Sequence, residues 1–134
     1  MVNRKILALL LTSAAYGNQY ADHMCRVALR AQEKGYEVEI FLFGAAVRSQ
    51  LGAQGPEGRF PVGANIGELM DKGAKVYGCR PCFSSDGYGP EGAGPKGPHD
   101  LEAWKVMEGV EMVPVSRMVD IIARADRVLS FGGG

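Results

Sequence analysis

The sequence has no excess of charge of either sign, because its 15 lysine and arginine residues balance 15 aspartate and glutamate residues. A chain without net positive charge has no bulk attraction to nucleic acid or to an anionic membrane surface, so we predict neither partner. Near-zero net charge also leaves little repulsion between copies of the chain. We therefore expect a homo-oligomer, with Phe60 and Trp104 as candidate apolar contacts.

Long apolar runs are also missing. The apolar run at residues 6–11 follows two basic residues but has only six members. This is far shorter than a membrane span and shorter than the apolar core of a usual secretory signal. A first strand that is buried on both faces explains the run better. We predict a chain that does not cross a membrane.

Cysteine is scarce, and its count of three is odd. A secreted disulfide framework uses an even set, so we place the protein in a reducing compartment, the cytoplasm. A structural zinc site needs about four ligands. The chain has a single Cys-x-x-Cys pair, and His23, Cys25 and His99 could join it only across long separations. We therefore predict no metal site, and we expect no cofactor.

What the chain does have is an alternation of apolar runs with segments of helical spacing. This alternation predicts βα units, hence an α/β fold: a single flavodoxin-like three-layer domain over residues 1–134 with a five-stranded, mainly parallel sheet. Gly/Pro-rich loops are expected at about 48–64 and 87–99. The predicted strands cover residues 4–12, 37–43, 74–78, 110–113 and 127–131, and the main helices cover 19–34, 65–73 and a segment after residue 116.

Helix starts are predicted from capping residues. Asn18, Asn65 and Ser116 each precede a segment of helical spacing, and asparagine and serine are favoured N-caps. Asn65 also has Glu68 three residues later, which is typical of a capping box. On the last helix, Arg124 is expected to face solvent.

The carboxyl ends of parallel strands are where open α/β sheets bind ligands. The predicted third strand leads into Cys79 at that edge. The small-residue loop after the first strand, which carries Ser13 and Tyr16, lies at the same edge. We therefore regard Ser13 and Tyr16 as supporting residues with a possible role in binding an anion.

The segment Cys79-Arg80-Pro81-Cys82 is the most reactive feature of the sequence. If Pro81 opens a helix, Cys79 lies at its N-terminus, where free N–H groups and the adjacent Arg80 favour a thiolate. Cys79 is then the expected nucleophile, and Cys82 is close enough to attack a disulfide or persulfide on it. A packing role remains an alternative for the pair, and it is the favoured interpretation for Cys25.

These residues occur in segments that resemble the DsrE/DsrF-like family of sulfur-relay proteins, which includes the TusD-type subunits. In that family the sulfur-carrying cysteine stands eight residues before a glycine, as Cys79 stands before Gly87. Cys82 matches a second cysteine of some members. The family often has arginine where this chain has Asp86, whose charge could raise a thiol pKa or change a partner surface. The four segments are KILALLLTSAAYGNQYADHMCRVALRAQEKGYEVEIFLFGAAV, ANIGELMDKGAKVYGC, CRPCFSSDG and VPVSRMVDIIARADRVLSFGGG.

The resemblance implies a sulfur carrier or sulfurtransferase. Sulfane sulfur would arrive from a donor protein, reside on Cys79 as a persulfide, and pass to an acceptor protein. The resemblance also implies a homo-oligomer, either a dimer, a trimer or a hexamer. Two alternatives stay open: a dithiol oxidoreductase that uses Cys79 and Cys82, and a non-catalytic structural subunit of a sulfur-relay complex in which both cysteines are idle.

Overall fold

A computed structural model describes residues 4–52, 54–86, 88 and 106–133. Within these residues, strands alternate with helices along the chain, as the sequence predicts. Trp104, His99, Gly87 and almost all of the predicted loop at 87–99 lie outside the described residues. The elements are β1 (Ile6–Leu11), α1 (Tyr20–Glu33), β2 (Glu37–Leu42), a 3₁₀ segment (Gly44–Gln50), α2 (Val62–Asp71), β3 (Lys75–Cys79), α3 (Arg80–Ser85), β4 (Val110–Val113), α4 (Ser116–Arg124) and β5 (Arg127–Phe131).

The strands form one sheet in the order β4-β3-β2-β1-β5, and every neighbouring pair is parallel. The α/β class with a five-stranded parallel sheet is therefore confirmed. Since β1 to β3 are interior strands, their side chains are buried on both faces, which explains their continuous apolar sequences.

Two layers of helices enclose the sheet. On the first face, α1 and α2 pack against side chains that include Leu9, Ile40 and Val76. On the second face, α3 and α4 contribute Phe83 and Ile121 to a separate cluster. Alternate residues of a strand point to opposite faces, so the two clusters draw on alternate positions of the same strands. Cys79 belongs to the second cluster.

Of the three predicted capping residues, one is confirmed. The Oδ1 atom of Asn18 accepts the Tyr20 backbone N–H at 3.0 Å, which supports the start of α1. The predicted caps at Asn65 and Ser116 are wrong. Helix α2 begins earlier, at Val62, and the Asn65 side chain donates to the Pro61 carbonyl at 2.7 Å. No side chain caps α4.

The loop predicted at about 48–64 is shorter than expected. Its first residues belong to the 3₁₀ segment, and residues 62–64 belong to α2. Gln54 organises the remainder, because its Nε2 donates to the carbonyls of Ser49 (2.7 Å) and Leu51 (3.0 Å). Its Oε1 accepts the Gly63 backbone N–H at 3.2 Å. One glutamine side chain therefore links the end of the 3₁₀ segment to the start of α2.

An ion pair between an exposed arginine and a buried carboxylate attaches α4 to the second face of the sheet. Glu39 of β2 is only 2% exposed, and its carboxylate accepts hydrogen bonds from Nε and Nη2 of Arg124. The Arg124 Nη2 also donates to the Tyr77 hydroxyl at 3.3 Å. A buried carboxylate without a cation would be costly, so this pairing fixes where α4 packs. Arg124 itself stays exposed, as expected, but the sequence did not indicate that its guanidinium also pairs with Glu39.

Gly78 has a steric role directly before the cysteine pair. The fully buried Gln50 side chain lies across it, with Nε2 3.1 Å from the Met112 sulfur. A Cβ atom at position 78 would overlap the Gln50 Oε1 atom. The close approach of Gln50 therefore requires glycine in β3 at this point.

We expect Gly78→Ala to lower the free energy of unfolding by about 1–3 kcal/mol, the usual cost of an extra carbon in a packed core. Urea unfolding followed by circular dichroism measures the change. The matched control is Gly67→Ala in α2, where an added Cβ meets no atom within 4 Å. Adding Gln50→Ala to Gly78→Ala should recover part of the loss. A Gly78→Ala protein as stable as the wild type would contradict the steric explanation.

Candidate functional site

The cysteine pair lies where β3 passes directly into α3. Cys79 is the last residue of the strand and the N-cap of the helix, with an extended backbone (φ −70°, ψ 113°). Pro81 occupies the first turn of α3, where its missing N–H leaves no helical hydrogen bond unmade. The helix start predicted from Pro81 is confirmed.

The Cys79 sulfur acts as the capping group of α3. It accepts the backbone N–H of Cys82 at 3.4 Å, in the way that a serine or aspartate oxygen caps a helix. Cys79 and Cys82 therefore form one hydrogen-bonded unit, held by backbone geometry at the carboxyl edge of the sheet.

The two thiols differ in their access to solvent. Cys79 is 0% exposed and packs in the second core cluster, which includes Val47, Phe83 and Val113. Cys82 is half-buried and reaches the surface. Reagents in solution therefore meet Cys82 first.

The surroundings of Cys79 hold its thiol in the protonated form. Burial is the larger cause and the neighbouring Cys82 side chain the smaller one, and together they raise the pKa of Cys79 to about 11. The Cys82 backbone N–H lowers this pKa, but by less. The expected thiolate at the helix start is therefore wrong for the resting protein, because desolvation outweighs the N–H group.

Arg80 and Asp86 flank the pair without contacting its sulfur atoms. The Arg80 guanidinium donates to the Met112 carbonyl at 3.1 Å and so links α3 to β4. Asp86 is exposed at the end of α3, where its backbone N–H donates to the Cys82 carbonyl at 3.1 Å. Neither residue contributes to the pKa shift of Cys79. Their predicted supporting role in sulfur chemistry stays a prediction.

The structure does not bring Ser13 and Tyr16 to the cysteines. They follow β1, and β2 lies between β1 and β3, which corresponds to roughly 10 Å across the sheet. The Tyr16 hydroxyl donates to Gln54 Oε1 at 2.9 Å and accepts the Val62 N–H at 3.1 Å. Tyr16 therefore supports the start of α2, a role that its position in the sequence did not indicate.

Cys25 lies in a different part of the molecule. It is 3% exposed, and burial, reinforced by the charge of Asp22, raises its pKa to about 12. These properties agree with a packing role. His23 is exposed on α1. Over residues 4–52, 54–86, 88 and 106–133, no three His, Cys, Asp or Glu side chains come together as a metal-binding group.

In the part of the chain that the structure describes, none of the helices has both the length and the apolar character that a membrane crossing requires. The fold and the cysteine turn thus define a small parallel α/β protein with a thiol pair at the carboxyl edge of its sheet. The sequence profile of the DsrE/DsrF-like family matches residues 5–131. The chain belongs to the DsrE/DsrF-like family.

One curated relative and two solved structures are similar to the chain over most of its length. The chain is 26% identical over 126 residues to the uncharacterized protein MK0008 of Methanopyrus kandleri, covering 94% of this chain and 93% of that protein. Among solved structures, it is similar to the ychN protein from E. coli (TM-score 0.77, 24% identity, 96% and 100% coverage). A conserved protein of unknown function, BT1422 from Bacteroides thetaiotaomicron, has TM-score 0.61, 15% identity and 92% and 93% coverage. At these identities, the two structures show the shared fold alone.

We expect iodoacetamide to modify Cys82 well before Cys79 at neutral pH. A pKa of about 11 instead of 9.0 leaves roughly 100-fold less thiolate at neutral pH, and burial restricts access further. The rate at Cys79 should rise as the pH approaches 11, because the thiolate fraction grows. Peptide mass spectrometry of timed samples measures each site, and Cys25 is the internal control for a buried thiol. Faster modification of Cys79 than of Cys82 at neutral pH would contradict this prediction.

Proposed function

We propose that the protein carries sulfane sulfur as a persulfide on its cysteine pair and passes it to an acceptor protein. The observation that carries this proposal is the hydrogen-bonded Cys79/Cys82 unit at the carboxyl edge of the sheet in a DsrE/DsrF-like protein. The position of the carrier cysteine in the family pattern corresponds to Cys79.

The surroundings of Cys79 suit the storage of a persulfide. A persulfide is more acidic than the thiol from which it forms, so its outer sulfur carries negative charge more readily. The Cys82 backbone N–H already donates to the Cys79 Sγ atom, to which this outer sulfur would be bonded, and hydrogen bonds to an ionised acceptor are stronger than those to a neutral one. The enclosing apolar side chains keep bulk reductants and oxidants away from the stored sulfur.

A dithiol oxidoreductase is the second candidate, because the hydrogen bond from the Cys82 backbone N–H to the Cys79 sulfur holds close together the two residues that a disulfide would join. The two functions differ in their products. A carrier gains one sulfur atom per chain, whereas an oxidised dithiol loses two hydrogen atoms. A structural subunit with idle cysteines would do neither.

Incubation with glutathione persulfide, followed by intact-mass spectrometry, tests the proposal. We expect the wild type to gain one sulfur atom and the Cys79→Ser/Cys82→Ser double variant to gain none. Cys25→Ala, which removes the third cysteine, should behave like the wild type. Trypsin does not cleave before proline, so both cysteines stay in one peptide and fragmentation assigns the sulfur, which we expect on Cys79 at equilibrium.

Two outcomes would contradict a carrier. Loss of two hydrogen atoms without added sulfur would indicate the oxidoreductase. An unchanged wild-type mass would indicate that the cysteines are idle and would favour the structural subunit.

We also propose that the protein is a homo-oligomer, but through a different surface from the one named in the sequence. Phe60 is half-buried, and the Arg26 guanidinium lies 5.1 Å from its ring centroid, so it is not a free apolar contact. The exposed large apolar side chains instead lie mainly on α4 and on β5, which is an edge of the sheet. We call the following set the α4–β5 face: Val115, Val119, Ile122 and Val128.

We expect Val119→Glu combined with Ile122→Glu to reduce the molar mass measured by light scattering at micromolar concentration. Val119 is 64% exposed, so a charge there should disturb association far more than folding. Arg30→Glu, on the exposed side of α1, is the control for a charge change elsewhere. A wild type that is strictly monomeric would contradict the proposed homo-oligomer.

A further inference from the structure

We propose that sulfur enters the site through Cys82 and is then handed to Cys79, so that the two cysteines form a directional relay inside one chain. This inference rests on the proposed function and deepens it, because it assigns separate roles to the two thiols. Cys82 is the entry thiol, and Cys79 is the storage thiol.

The inference rests on the difference in solvent exposure between Cys79 and Cys82. The Cys79 sulfur belongs to a residue that is 0% exposed and enclosed by the second core cluster. A donor persulfide on another protein is bulky, and attack on its outer sulfur requires the two sulfur atoms to come into contact. Cys82 is half-buried and offers that contact at the surface. The buried thiol can receive sulfur without opening the core only from a neighbour that is already inside the site.

The first step is an exchange between the donor and Cys82. The Cys82 thiolate attacks the outer sulfur of the donor persulfide, the sulfur–sulfur bond of the donor breaks, and the donor leaves as a thiolate. A new sulfur–sulfur bond forms on Cys82. The sulfane sulfur keeps its oxidation state, so the exchange consumes no oxidant or reductant.

The second step moves the same sulfur inward. The Cys79 sulfur attacks the outer sulfur of the Cys82 persulfide, the bond between that atom and the Cys82 sulfur breaks, and a persulfide forms on Cys79. The Cys79 proton passes to the departing Cys82 sulfur, so no proton is gained or lost overall.

The protonation of Cys79 at rest is consistent with this order. A thiol with a pKa of about 11 is a weak nucleophile toward a donor in solution. Its reaction partner in the relay is instead Cys82, whose backbone N–H already donates to the Cys79 sulfur. The leaving sulfur of Cys82 accepts the proton. Attack on the inner sulfur of the Cys82 persulfide would take a different course, releasing hydrosulfide and leaving a disulfide between the two cysteines.

Timed loading with glutathione persulfide, stopped by an alkylating reagent and mapped by fragmentation, tests the relay. In the wild type we expect added sulfur on Cys82 first and on Cys79 later. Cys82→Ser should lower the initial rate of uptake roughly tenfold or more, because the remaining thiol is buried and protonated. Cys79→Ser should retain its sulfur on Cys82, where cyanide removes it faster than from the wild type.

Controls separate this inference from the function on which it rests. Cys25→Ala should load like the wild type. Cys82→Ala is a second variant of the entry thiol, and an unchanged melting temperature of this variant shows that slow loading does not come from a folding defect. Suppose that the wild type loads normally and that Cys79 loads at the wild-type rate in both Cys82 variants. This result would overturn the relay but not the carrier function. No sulfur uptake by the wild type would overturn the carrier function and the relay together. A disulfide formed with release of hydrosulfide would overturn the handover to Cys79.

Discussion

The hydrogen bond from the Cys82 backbone N–H to the Cys79 sulfur is the contact on which the site depends. It ties the last residue of β3 to the first turn of α3 without an intervening loop. Because the acceptor is a sulfur atom of a strand residue, the position of that sulfur is set by the sheet and not by a mobile loop. Because Pro81 has no backbone N–H, it does not compete with the Cys82 N–H for the Cys79 thiol.

The surrounding packing makes two similar side chains chemically different. The core on the second face of the sheet encloses Cys79 and raises its pKa, whereas Cys82, one turn into a short helix, stays in contact with solvent. Gly78 and Gln50 keep the strand end closely packed directly before the pair. On the second face, which is the one that Cys79 shares, the Glu39–Arg124 ion pair holds α4 against the sheet. The separation into a buried and an accessible thiol is therefore a property of the whole layer, not of the Cys-x-x-Cys motif alone.

The sequence was most informative where a local pattern decides the outcome. Continuous apolar runs predicted the five strands to within a few residues, and Pro81 predicted the start of α3. The start of α2 could not be predicted from Asn65, because Tyr16 and Gln54, which are distant in sequence, supply the hydrogen bonds there. The partner of Arg124 lies 85 residues away, on β2. The pKa of Cys79 was missed for the same reason: the N–H donor is local, but the burial that outweighs it comes from several elements.

The most direct test of whether packing sets the chemistry of Cys79 is a pH titration of thiolate absorbance in the ultraviolet. The contribution of Cys79 is the difference in absorbance between the wild type and Cys79→Ser. If burial controls the buried thiol, its absorbance should appear only at alkaline pH, with a pKa of about 11. Absorbance from Cys79 already present at neutral pH would contradict this result. It would show that the helix N–H group, and not the enclosing core, determines the protonation of this cysteine.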